Sequence, residues 1–108
     1  MGTMKYKIDI QPIVYQDLDE IGSYIGFHLH NAKAARELVV KVLNQCSALA
    51  DNPKIAHLSP DPTLRRLGIH QFNVKKYTVL LKFNHTSQTV KILRVIYSGR
   101  DFGHLHLD

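Results

Sequence analysis

Two stretches decide how this chain folds: Tyr77-Thr78-Val79-Leu80-Leu81-Lys82-Phe83, and Thr89-Val90-Lys91-Ile92-Leu93-Arg94-Val95-Ile96-Tyr97. In the first, Tyr77, Val79, Leu81 and Phe83 recur every second residue, so they share one face of a strand while Leu80 looks the other way. In the second, the same period puts Val90, Ile92 and Ile96 on one face and Leu93, Val95 and Tyr97 on the other. The polar interval Asn84 to Gln88 joins them as a hairpin loop. Leu67, Ile69 and Phe72 mark a preceding strand, which completes a three-stranded meander.

Upstream, the period is helical. Val14, Leu18, Ile21, Ile25 and Leu29 form one stripe after Pro12, and Ala35, Leu38, Val39, Val42, Leu43, Cys46, Leu49 and Ala50 form a wider one after Asn31. Asn31 is a natural cap for the second helix, and Asp51-Asn52-Pro53 ends it. So short a link makes the pair an antiparallel hairpin. Gly22 and Gly26 are expected to permit close approach of the two helices, and Glu37 to pair with Lys41. Asp17, Asp19 and Glu20 lie early in the first helix, where its dipole favours negative charge. Before it, Lys5 to Ile10 alternates polar and apolar as a strand. Residues 52–63, with Pro53, Pro60 and Pro62, read as a loop. The expected fold is α+β, with a two-helix antiparallel hairpin packed on one face of a small, mainly antiparallel curved sheet, in the order β-α-α-β-β-β.

One helix hairpin covers one side of a sheet, yet the later strands are apolar on both. An antiparallel sheet with a free face normally alternates with polar residues there. Two arrangements meet that demand. Either the chain itself meets it, by a strongly curved sheet or by the carboxy-terminal segment folding back over it, or a partner adds a helix or strand to an exposed apolar groove.

At 108 residues the chain is one domain, expected over residues 4–108, with Met1 to Thr3 read as an appended remnant and Met4 as the natural start. No apolar run is long enough to span a bilayer, the amino terminus lacks a secretory signal, and the single Cys46 excludes an intrachain disulfide. These features imply a cytoplasmic protein with no membrane partner. The net charge of +5 is unevenly placed. Residues 1–51 hold five Lys/Arg and six Asp/Glu, for −1, whereas residues 52–108 hold nine and three, for +6. Such an excess attracts polyanions or an acidic protein. Arg65, Arg66, Lys75, Lys76, Lys82 and Arg94 are the candidate contacts to a nucleic acid or another target. Leu80, Leu93, Val95 and Tyr97 are the candidate apolar contacts to a protein partner. His28-x-His30 and His104-x-His106 lack the spacing of a metal site, so neither metal nor cofactor is expected. Cys46 lies in the apolar stripe and reads as core.

The ordered set Asp17-Leu18-x-x-Ile21-x-x-Tyr24-Ile25, Leu64-Arg65-Arg66-Leu67, Lys76-Tyr77-Thr78-Val79 and Ile92 to Asp101, with the second helix ending at Pro53, resembles the RelE/ParE superfamily of bacterial toxins, across about residues 5 to 102. The resemblance implies that the first strand lies beside the last. It also implies a type II toxin silenced by a cognate antitoxin, whose contacts would be the apolar set above, within a higher-order toxin–antitoxin complex. RelE-like members cut messenger RNA on the ribosome, and ParE-like members poison DNA gyrase. The long helix hairpin and the closing Leu93-Arg94-x-Ile96-x-x-Gly99-Arg100-Asp101 are closer to ParE.

RNA cleavage without metal needs a base, cations around the phosphorane and an acid for the leaving oxygen. In the nuclease pattern an arginine closes the last strand, which is Arg100 here; a tyrosine follows six residues on, where this chain has His106, with His104 nearby. The pattern also places an arginine just after the middle-strand tyrosine, and here Tyr77 is followed by Thr78. Three readings therefore stand: a ParE-like toxin that binds gyrase, a RelE-like endoribonuclease, and a non-toxic basic nucleic-acid-binding adaptor.

Overall fold

The computed structural model describes residues 5–100, 102, 105 and 107. Strand β1 (Lys7–Ile10) is followed by α1 (Pro12–Ser23), which widens into a π-helical turn over Tyr24–His28, and by α2 (Ala32–Ala48). A 3₁₀ turn (Pro53–Ile55), β2 (His57–Leu58) and α3 (Pro62–Arg66) lead into β3 (His70–Val74), β4 (Tyr77–Asn84) and β5 (Thr89–Tyr97). The sheet order is β1-β5-β4-β3-β2, with β1 parallel to β5 and the remaining pairs antiparallel. The α+β layering matches expectation, with the first strand beside the last. No helix among the described residues is long and apolar enough to cross a membrane.

Local chemistry explains the helix starts. Pro12 stands in the first turn of α1. The Asn31 side chain accepts a hydrogen bond from the Ala34 amide at 3.0 Å and so caps α2. Val14, Leu18, Leu38, Val42, Cys46 and Leu49 from the helices meet Phe72, Val74, Val79, Leu81, Val90, Ile92 and Val95 from the sheet in the main core. Burial pushes the Cys46 thiol up to about 12, which keeps it protonated and inert.

Several expectations need correction. The segment 52–63 is not all loop. Asp61 accepts hydrogen bonds from the amides of Thr63 and Leu64 at 2.9 and 3.0 Å, and this cap with Pro62 behind it starts α3. Leu67 consequently closes α3 and is exposed, rather than belonging to a strand. Glu37 pairs with Lys33 at 3.8 Å instead of with Lys41. A methyl at Gly22 or Gly26 would sit 3.9 Å from Val39 or Ala35, which is ordinary contact, so the hairpin does not require glycine there.

The most consequential correction concerns β5. Leu80 stands opposite Arg94 and the next residue, Leu81, stands opposite Ile92, so Leu93 is an extra residue. This β-bulge inverts the alternation beyond it. Val95 joins the main core under the helices, and Leu93 and Ile96 share the far face. That far face is not open. Leu64, Ile69, Leu80, Leu93 and Ile96 form a second core, and Phe102, Leu105 and Leu107 pack against it. Of the two arrangements considered, the chain adopts the one in which its own carboxy-terminal segment covers the sheet. Leu80, Leu93 and Val95 are therefore buried and present no free apolar surface; of that candidate set only Tyr97 is exposed.

Candidate functional site

The end of α1, its π turn and the start of α2 stand on one side of a groove of about 910 Å³. The β3–β4 turn and the end of β5 form the other side. Tyr24, Tyr77 and Tyr97 line it; the Tyr77 and Tyr97 rings meet edge to face with centroids 6.1 Å apart. Burial, then the neighbouring phenols Tyr24 and Tyr97, push the Tyr77 hydroxyl upward from its ordinary value. It therefore stays protonated and can donate a hydrogen bond, but is a poor base. No histidine or cysteine is among the described lining residues.

Lys75, Lys76 and Arg100 stand together on the sheet side because the backbone joins them. The Ser98 amide donates to the Lys76 carbonyl at 2.9 Å, and the Arg100 amide to the Tyr97 carbonyl at 3.0 Å. Lys75 holds a positive φ of 54°, a conformation that is costly for a residue bearing a Cβ. At Gly99 a Cβ would lie 2.7 Å from the Tyr97 ring, so glycine lets that ring lie against the turn. Glu20 and Glu37 face these cations from the helices. The groove is thus bipolar, with an aromatic and apolar floor, cations on one wall and carboxylates on the other.

Asp17 lies at the inner end of the groove. Its carboxylate accepts two hydrogen bonds from the Arg94 guanidinium, both 2.8 Å, and one from the Val95 amide at 3.0 Å. The hydrogen bond to Asp17 pushes the Arg94 guanidinium further upward, against the effect of its burial. β1 pairs with β5 only as far as Ile92, so Asp17 supplies the acceptor that a neighbouring strand would otherwise provide to Val95. This role replaces the helix-dipole reading of Asp17. It also removes Arg94 from the cations free to meet a ligand.

The remaining expected site residues separate. Lys75, Lys76 and Arg100 reach the groove, as does Tyr97. Arg65 and Arg66 are exposed on α3 and Lys82 on the far side of β4. Thr78, at the position where the nuclease pattern has an arginine, is buried. Its hydroxyl donates to Asn73 Oδ1 and lies 2.8 Å from Ser98 Oγ. His104 and His106 lie outside the described residues. Sequence reasoning passed over Tyr24 and Glu20 as groove residues, because only the packed hairpin turns that helix face toward the end of β5.

A protein-family model described as the ParE toxin of the type II toxin–antitoxin system parDE matches residues 8–102. The chain belongs to the ParE toxin family. Solved structures show the same fold. The chromosomal ParDE toxin–antitoxin system from P. aeruginosa superposes with a TM-score of 0.70 at 15% identity, covering 88% of this chain and 98% of that one. The RelBE2 toxin–antitoxin complex from Mycobacterium tuberculosis gives 0.62 at 18% identity, covering 86% and 98%. The archaeal RelE–RelB complex from Pyrococcus horikoshii OT3 gives 0.60 at 18% identity, covering 91% and 100%. No curated protein matches the sequence.

Proposed function

We propose that this ParE-family toxin arrests growth by seating a macromolecular target, DNA gyrase, against the groove of Tyr24, Tyr77, Tyr97, Lys75, Lys76 and Arg100, and that a cognate antitoxin neutralises it. The observation that carries a binding rather than a cleaving role is Thr78. A nuclease needs a cation there to stabilise the phosphorane, and this chain has a buried hydroxyl engaged with Asn73 and Ser98. Arg94 cannot substitute, because Asp17 holds it through Nε and Nη2. An aromatic floor beside fixed cations suits anchoring of a protein surface, where tyrosine and arginine supply most of the binding energy.

The test is expression without antitoxin, followed by parallel gyrase supercoiling and ribosome-programmed mRNA cleavage assays. Inhibited supercoiling with intact mRNA is expected. Tyr97→Ala is expected to weaken gyrase inhibition by at least tenfold, a loss typical of one anchoring aromatic. Ribosome-dependent cleavage that disappears in Arg100→Ala and His106→Ala would overturn the binding reading in favour of the endoribonuclease, for which the position of Arg100 at the close of β5 is the supporting feature.

A further inference from the structure

The side of the sheet opposite the groove carries a second set of charges. Lys82 and Lys91 are direct cross-strand partners on β4 and β5. Their flanking residues Leu81, Phe83, Val90 and Ile92 pack into the main core beneath the helices, so alternation turns both lysines to the far face. Like charges directly opposite on one face destabilise a sheet. The Lys82 stem passes over the turn that closes α3, with its Cε 3.9 Å from the position a Cβ on Gly68 would take. This places its ammonium near the last turn of α3, which bears the exposed Arg65 and Arg66. On the other flank, Lys7 of β1 shares the far face, because Ile8 and Ile10 pack into the core. Asp9, opposite Lys91, is the acidic residue of this row. Among the described residues the ion pairs are Lys5–Asp51, Lys33–Glu37 and Arg94–Asp17, so none of the five far-face cations is neutralised in one.

We infer that this face binds the phosphate backbone of duplex DNA, with Lys82, Lys91, Arg65, Arg66 and Lys7 as the contacts. A polyanion supplies the counter-charge that the single Asp9 leaves short for the Lys82–Lys91 pairing, and release of its condensed ions drives the association. The face offers cations on a sheet and a short helix, while the exposed tyrosines that could stack unpaired bases lie on the groove side, so it suits a duplex backbone rather than a single strand. The inference is independent of the toxin mechanism proposed above, since the two surfaces lie on opposite sides of the sheet.

The test is fluorescence polarisation of the full chain with a labelled duplex of arbitrary sequence, about 25 base pairs long, across a salt series. Binding is expected to fall steeply with salt. Lys82→Gln/Lys91→Gln is expected to reduce the logarithmic salt slope by about 2 and, near 0.1 M salt, to weaken binding on the order of tenfold per lysine. Relief of the repulsion should raise the melting temperature of the free protein by about 1–4 °C. Lys82→Arg/Lys91→Arg should retain binding, and Lys75→Gln/Lys76→Gln should leave it within about twofold. Absence of salt-dependent duplex binding would overturn the inference, and so would tighter binding of a single strand of equal length. A loss equally large in the Lys75/Lys76 variant, or binding of polyglutamate in place of DNA, would overturn it as well.

Discussion

Asp17 and Arg94 are 77 positions apart and yet form a largely buried, doubly hydrogen-bonded ion pair. Both side chains are largely withdrawn from water, at 7% and 14% exposure, so each depends on the other. Removing one leaves a desolvated charge without its partner, which costs about 3–5 kcal/mol, whereas replacing both with apolar residues of similar volume is far milder. Asp17→Ala is therefore expected to lower the unfolding free energy by about 3 kcal/mol, and Asp17→Leu/Arg94→Met to recover most of it, as read by urea denaturation. A loss in the double variant equal to the sum of the losses in Asp17→Leu and Arg94→Met taken singly would show that the pair is not coupled. From the sequence, Asp17 is one of three acids at a helix start, and helix electrostatics accounts for all three equally well. Nothing local distinguishes the one that reaches β5, because its partner is brought there only by folding.

At the scale of elements, the helices and strands were legible because their apolar periods are long and regular. The capped start at Asn31, the stop at Pro53 and strands β4 and β5 appear where propensity and spacing place them, whereas β3 begins only at His70, beyond Leu67 and Ile69. The short α3 falls within the proline-rich segment that reads as loop, although Asp61-Pro62, a cap followed by a first-turn proline, is its local signal. The helix hairpin makes its own prediction. Because a methyl at Gly22 meets Val39 at 3.9 Å without crowding, Gly22→Ala should stabilise the protein by about 0.5–1 kcal/mol through lower backbone entropy in the unfolded chain. A loss of stability in the same urea titration would mean that the helices pack more tightly than this spacing implies.

At the scale of the whole molecule, the sheet is a shared wall. Its helix side carries the main core and the bipolar groove, and its far side carries a second core closed by α3 and by Phe102, Leu105 and Leu107. Truncation after Arg100 removes Phe102, Leu105 and Leu107 from Leu80, Leu93 and Ile96. The expected result is a loss of about 2–4 kcal/mol, with new binding of a hydrophobic dye and concentration-dependent self-association by light scattering. An unchanged urea midpoint would show that this covering adds no stability. The free apolar face anticipated from the strand pattern is thus satisfied within the chain. For an antitoxin to reach Leu80 or Leu93, it would have to displace that cover, whereas Tyr97 is open to a partner directly.

The amino-acid sequence by itself determined the α+β layering, the helix hairpin, the meander and the concentration of positive charge in the second half, because these depend on period, capping and composition within short windows. Tertiary structure decided which face each β5 residue occupies, which cations remain free and what closes the far side. The physical reason is the same in each case. One extra residue at Leu93 inverts the alternation only once β5 is registered against β4, and Arg94 is withdrawn from ligands only when α1 brings a carboxylate to it across the length of the chain.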